Sequence, residues 1–158
     1  KPKTYKVVLR SFPEYLKNSN LNLQGLSMSL QGKLYANAKN FKKASTLTIV
    51  DFWATWCGPC KITARILNNI HHKFNQKGVQ VVGLSKESIP LLTDYQNKNP
   101  VDYPLMHDLG GKSSTRLGIQ SIPTLVILDQ EGFIVKVEKG VPREQEMHTW
   151  IANYLLGQ

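Results

Sequence analysis

The sequence predicts an α/β fold in which a strand–helix–strand–helix unit is joined to a β-hairpin and a terminal helix. Three observations carry this reading. Leu47–Trp53, Val79–Leu84 and Pro123–Leu128 are short apolar runs, the signature of strands buried on both faces. Between the first two, Ile62, Ile66, Ile70 and Phe74 recur every four residues, so a helix links them. Near the C-terminus Met147, Trp150, Ile151, Tyr154 and Leu155 fall at i, i+3, i+4, i+7 and i+8, one face of a helix.

In chain order, Val7–Leu9 is expected to form a short strand and Phe12–Leu16 a helical turn. Leu26, Met28 and Leu30 alternate with Ser27 and Ser29, Gln31-Gly32-Lys33 turns, and Leu34-Tyr35-Ala36 returns, which predicts a hairpin. Gly78 ends the first long helix. Ser88 begins a second, with Leu91, Leu92 and Tyr95 buried, and it stops near Asn99-Pro100. Tyr103–Met106 is read as a short strand and Lys112–Leu117 as a short helix. Asp129-Gln130-Glu131-Gly132 turns into a last strand, Phe133–Val137. No internal repeat is present.

The chain has 158 residues, which suits one domain. It divides into a basic extension (1–24), a hairpin and connection (25–46) and a core (47–156). With 41% hydrophobic and 20% charged residues, disorder and fibrous classes are excluded. No apolar run approaches the ~18 residues of a membrane helix. The net charge is +9, and residues 1–50 hold nine Lys or Arg against the single acid Glu14. Beyond a solvated surface, that asymmetry predicts attraction to an anionic membrane or an acidic partner. No aromatic-interleaved basic groove points to nucleic acid. The chain begins at Lys1, and a signal or anchor before it is expected to have been removed. Absence of cysteine outside one pair fits an oxidising, extracytoplasmic compartment.

That pair, Cys57 and Cys60, lies in Trp56-Cys57-Gly58-Pro59-Cys60-Lys61 between a strand and a helix. Two thiols at this spacing close a small disulfide ring. Helix N–H groups and the dipole favour the Cys57 thiolate, and Pro59 suits the first turn. Cys57 is therefore the expected nucleophile and Cys60 the resolving thiol. A zinc half-site would need two more ligands, and His71, His72, His107 and His148 give no finger-like spacing. A purely structural disulfide would stabilise little in so small a loop. Asp51 is an acid in an apolar run. It is either a strand-edge acid reaching solvent or a general acid/base near Cys60 with a burial-raised pKa. No metal or cofactor is expected.

Val50–Lys61 closely resembles the thioredoxin active-site segment, and Ser121-Ile122-Pro123-Thr124 resembles that family's cis-proline loop. With the hairpin and the insertion around residues 86–118, residues 24–156 resemble the TlpA/ResA/CcmG-type envelope thioredoxins. The resemblance implies a thioredoxin fold: a central mixed sheet flanked by helices, with an N-terminal hairpin. It also implies thiol–disulfide exchange on protein substrates in the reducing direction, with electrons from an upstream dithiol donor and a periplasmic location. A cis Ile122–Pro123 bond would face the dithiol, with a trans proline as the alternative. Trp56, Gly58, Pro59, Ile122 and Pro123 would contact substrate, and Trp53 would pack. ResA-like members often carry a Glu three residues after the second Cys and a Pro two further on. Here these places hold Thr63 and Arg65, while Asp51 occupies the thioredoxin carboxylate position, so the proton-transfer arrangement is thioredoxin-like. The rival readings are an oxidase or isomerase of the same fold, a non-catalytic binding module, and a peroxidase, which lacks its single-cysteine context.

Overall fold

Hydrogen bonding of six strands into one mixed sheet organises the computed structural model, which describes residues 30–158. The strands are β1 (Lys33–Ala36), β2 (Leu47–Phe52), β3 (Val79–Ser85), β4 (Leu105–His107), β5 (Thr124–Leu128) and β6 (Ile134–Lys139). Four helices accompany them: α1 (Gly58–Phe74), α2 (Ile89–Lys98), α3 (Lys112–Arg116) and α4 (Glu144–Leu156). The sheet order is β1-β4-β3-β2-β5-β6. β2, β3 and β4 run parallel, β5 and β6 are antiparallel to their neighbours, and β1 closes the edge antiparallel to β4.

Every residue of β2, β3 and β5 is buried, because both faces of the sheet are covered. Alternation then sorts side chains between two layers. Val50, Phe52, Val82, Leu84, Val126 and Leu128 pack on one side with Leu117. Leu47, Ile49, Val79, Val81, Leu125 and Ile127 pack on the other, against Leu67, Ile70 and Phe74 of α1 and Met147 and Ile151 of α4. Gly78 separates α1 from β3 at φ 86°, and a Cβ there would lie 2.8 Å from Thr46 Oγ1.

Several elements depart from the sequence expectation. Only Leu30 of the first hairpin arm lies among the described residues; Val7–Leu9 and Phe12–Leu16 lie outside them. Lys33 opens β1 instead of completing a turn, and the returning arm pairs with β4, Lys33 with His107 and Leu34 with Met106. The last strand starts at Ile134, since the Phe133 N–H donates to Asp129 Oδ1 inside the turn. The buried line of α1 is Cys60, Thr63, Leu67, Ile70 and Phe74, while Ile62 is 51% exposed. A four-residue step turns a helix by about 400°, so a strict i+4 row drifts by about 40° per step and leaves the core face. In α2 only Leu92 is buried and Leu91 is exposed, because adjacent helical residues point about 100° apart.

Leu67→Ala should therefore cost about 2–5 kcal/mol in a urea unfolding titration, the range for a buried leucine. Ile62→Ala should stay within about 0.5 kcal/mol. Equal losses would contradict this placement of the helix face.

Candidate active site

The site is built where β2 runs out. After Phe52, the Trp53 N–H still donates to Leu84 O (3.3 Å), and the chain then folds over Ala54–Cys57, with the Cys57 N–H donating to Ala54 O (3.2 Å). Cys57 has extended dihedrals (φ −86°, ψ 108°) and caps α1, where its sulfur accepts from the Cys60 N–H (3.2 Å). Gly58 and Pro59 occupy the first helical turn, where a missing N–H costs nothing. Cys57 and Cys60 are joined by a disulfide with Cα atoms 5.2 Å apart. Both cysteines are buried, and Trp56 beside them is 75% exposed.

A second segment arrives from far along the chain. Ile122 O lies 3.8 Å from Cys57 Sγ, and the Ile122–Pro123 peptide bond is cis. Since neither sulfur of a disulfide carries a proton, this approach is a contact rather than a hydrogen bond. Thr124 Oγ1 donates to Ser121 O (2.7 Å) and the Gly140 N–H to Pro123 O (2.8 Å), which fixes the loop to β5 and to the end of β6. Ala54, Cys57 and Cys60 form a small buried cluster with Trp53 and Ile122 packed against it. Trp53 also meets Tyr95, with ring centroids 5.5 Å apart.

Asp51 lies in β2 between β3 and β5, opposite Gly83 and Leu125, and is 1% exposed. The strand-edge alternative is thereby excluded. By alternation it shares the sheet face of Leu47 and Ile49, the side that α1 covers. Burial raises its pKa from 3.8 to about 8, and Oδ1 has no hydrogen-bond partner among the described residues. The Tyr103 phenol is pushed up by burial first and by Asp51 second, which places the two groups in one desolvated region. Gly83 leaves that region tight: a Cβ there would meet Leu105 Cδ2 at 2.6 Å and Trp53 Nε1 at 3.0 Å.

Glu87 escapes the sequence reading. Its carboxylate accepts from the Thr55 N–H (2.6 Å) and Thr55 Oγ1 (2.8 Å), so the β3–α2 loop grips the turn that carries Trp56 and Cys57. A lone acid in a polar loop carries no local signal, and its partner lies 32 positions away. Two hollows flank the dithiol. One of about 310 Å³ lies between α1 and α2 with Cys60, Trp53 and Tyr95 in its wall. The other, about 140 Å³, lies between Trp56 and Glu87 on one side and Ile119 and Ile122 on the other. Among the described residues no group of three His, Cys, Asp or Glu could hold a metal. His72 instead pairs with Asp102 (2.7 Å), and His148 lies beside Glu144 (3.6 Å).

Glu87→Ala should cost about 1–3 kcal/mol, since it removes a charged acceptor from a part-buried N–H and hydroxyl. Glu87→Gln should recover part of the loss in the same thermal or urea melt. Asp51 makes stability depend on pH. Its folded pKa, about 8, exceeds the ordinary 3.8, so the folded state binds more protons than the unfolded one between those values. Stability of the oxidised protein should fall as pH rises through that window, by at most about 1.4 kcal/mol per pH unit from this group, and level off above it. Asp51→Asn should flatten the profile and be the more stable protein at pH 8. An unchanged pH profile would mean that Asp51 keeps an ordinary acidity.

A family model described as Redoxin matches residues 14–154. The thiol-disulfide oxidoreductase ResA of Bacillus thuringiensis subsp. konkukian is 24% identical over 123 residues, covering 77% of this chain and 69% of that protein. Other ResA relatives are matched over as little as 48% of their length. A thiol:disulfide interchange protein of the thioredoxin family from Chlorobium tepidum TLS superposes with a TM-score of 0.61 at 24% identity, over 70% of this chain and 80% of that one. A secreted Mycobacterium tuberculosis disulfide oxidoreductase homologous to E. coli DsbE gives 0.59 at 17% identity, over 68% and 81%. The fold is thioredoxin-like, and the chain belongs to the Redoxin family, with the dithiol of a thiol–disulfide oxidoreductase.

Proposed function

We propose that this protein reduces disulfides in protein substrates, outside the cytoplasm, and is itself re-reduced by an upstream dithiol donor. One observation carries the reading: a Cys57–Cys60 pair at the N-terminus of α1, flanked by exposed Trp56 and by Ile122 of the Pro123 loop. The reduced form begins the cycle. The Cys57 thiolate, favoured by the helix N-terminus, attacks one sulfur of the substrate disulfide; the other sulfur leaves with the electron pair and takes a proton. Cys60 then loses its proton to Asp51 and attacks Cys57 Sγ. The substrate's first sulfur departs as thiolate, and the Cys57–Cys60 disulfide remains. Both substrate sulfurs are now reduced and the protein is oxidised by two electrons, which the donor dithiol returns.

The roles divide by position. Trp56 and Ile122 offer apolar contact around the reacting sulfur, while Gly58 has no neighbour within 4 Å of a Cβ and leaves the helix end open to a polypeptide. Pro123 shapes the loop that presents Ile122. Asp51, with its pKa near 8, is mostly protonated at neutral pH, and its ionised form is a stronger base toward the Cys60 thiol than an ordinary carboxylate. Gly-Pro between the cysteines supports the reducing direction, and the relatives named thiol-disulfide oxidoreductase support the exchange itself. The extracytoplasmic location rests on the lack of stray cysteines and on likeness to a secreted oxidoreductase. Among the described residues no helix is long and apolar enough to cross a membrane.

Brief iodoacetamide treatment of the reduced protein should label Cys57 ahead of Cys60, as read by peptide mass mapping. In the native host, Cys60→Ser should retain its substrates and donor as mixed disulfides on Cys57. Asp51→Asn should slow resolution about 10-fold or more in stopped-flow reduction of a protein disulfide. A reduction potential near about −270 mV supports the reductase, and one near about −120 mV would instead assign an oxidase.

A further inference from the structure

Five lysines cluster at the end of the molecule opposite the dithiol. α1 carries the cysteines at its start and spans about 25 Å over its 17 residues. Its far end presents Lys73, and the short 3-10 turn that follows presents Lys77. The ammonium groups of these two sit 5.4 and 5.6 Å from the Phe74 ring centroid and bracket it. Lys39, Lys42 and Lys43 lie on the connection between β1 and β2, which reaches the same end. Gln80 at the start of β3 holds that connection: the Lys42 N–H donates to Gln80 Oε1 (2.6 Å) and Gln80 Nε2 to Lys42 O (2.9 Å). Lys42 Nζ then donates to Asn75 O (2.6 Å), which ties the connection to the end of α1.

All five side chains are exposed, and among the described residues none has a carboxylate partner. The acids near this end are engaged by other groups or lie one strand beyond β2. Asp102 is taken by His72 (2.7 Å) and Asn68 (3.3 Å), and Glu144 by Asn69 (3.0 Å) and His148. Asp129 and Glu131 belong to the β5–β6 turn, across β2 from Gln80, and Asp129 Oδ1 accepts two N–H groups of its own turn. Two features select the kind of partner. The patch contains lysines and no arginine, so it offers point charges rather than forks for bidentate recognition. None of the five lysines lines the two hollows beside the dithiol or the shallow one over α4, so the patch meets a surface rather than receiving an inserted group.

We propose that this lysine pole docks the protein on anionic lipid headgroups and leaves the dithiol facing away from the membrane. The attraction is electrostatic, about five-fold in partitioning per lysine, and screened by salt. The basic residues before position 30 add charge, so the test separates the two regions.

The full chain is sedimented with vesicles of 30% phosphatidylglycerol in phosphatidylcholine, and with phosphatidylcholine alone. Binding is expected only to the anionic vesicles and should be lost at 0.5 M salt. Lys39→Gln, Lys43→Gln, Lys73→Gln and Lys77→Gln combined should lower partitioning about 100-fold or more. The charge-matched set Lys1→Gln, Lys3→Gln, Lys6→Gln and Lys17→Gln should lower it far less. Reduction of a soluble protein disulfide should be unchanged in both variants, which certifies their folds, and within about two-fold for vesicle-bound wild type. Equal losses in the two sets, or loss in the second alone, would overturn the pole. Inhibition above about 10-fold on the vesicles would overturn the orientation. No vesicle binding by wild type, with capture on poly-glutamate that the pole variant loses, would reassign the patch to an acidic polypeptide.

Discussion

β2 is hydrogen-bonded on both sides, and the placement of the chemistry depends on that double pairing. β3 holds it in parallel register from Leu47–Val79 to Phe52–Leu84, and β5 holds it antiparallel from Thr48–Leu128 to Phe52–Thr124. A slip of one residue against either neighbour would send Asp51 to the opposite face and bury Phe52 under α1. With two ladders the slip must break both at once. The same pairing gathers three distant loops at one point: β2 ends where Trp53–Cys57 turns, β3 continues into Glu87, and β5 begins just after Pro123. The dithiol is thus bordered by Thr55–Glu87 on one side and Ile122 on the other without any dedicated scaffold.

Around that point the core changes character. Elsewhere the two faces of the sheet are filled largely by aliphatic and aromatic side chains, and the buried Gln80 and Thr124 find hydrogen-bond partners. Beneath the first turns of α1 the structure instead buries Asp51, Thr63 and the indole nitrogen of Trp53, each with an atom lacking a partner. Unpaired polar atoms in the interior destabilise a fold, and here the aliphatic layers on either side offset them. Part of that cost falls beside the segment that carries the reacting sulfurs.

What was legible in the sequence were the features that local chemistry determines. β2, β3 and β5 were visible as apolar runs, α4 as a stripe, and the site's centre as Cys57-Gly58-Pro59-Cys60. What escaped depends on partners remote in the chain or on angular detail. The returning arm Leu34–Ala36 reads as half of a hairpin, but β4, some seventy residues on, supplies its partner. Ile62 and Leu91 are as apolar as Leu67 and Leu92, and only the rotation of each helix decides which is buried. Glu87 is an ordinary surface acid until the β2–β3 register brings it to the Thr55 amide. Asp51 stands between these cases. Its place in an apolar run suggested burial, and the sheet order established it.

Gly83 gives the site a property that extends beyond its own position. Directly across from Asp51, it admits no side chain without displacing Leu105, so no cation can be introduced from that position to neutralise the acid. The proton affinity of Asp51 is consequently governed by dielectric insulation instead of by a counter-ion. Its strength as an acid becomes a gauge of how tightly Leu105, Tyr103 and Trp53 close over the sheet. Substitutions among these apolar neighbours, none of which can exchange a proton at neutral pH, would tune the acidity of Asp51 by admitting or expelling water. In this protein, hydrophobic packing itself sets how readily a buried carboxyl gives up its proton.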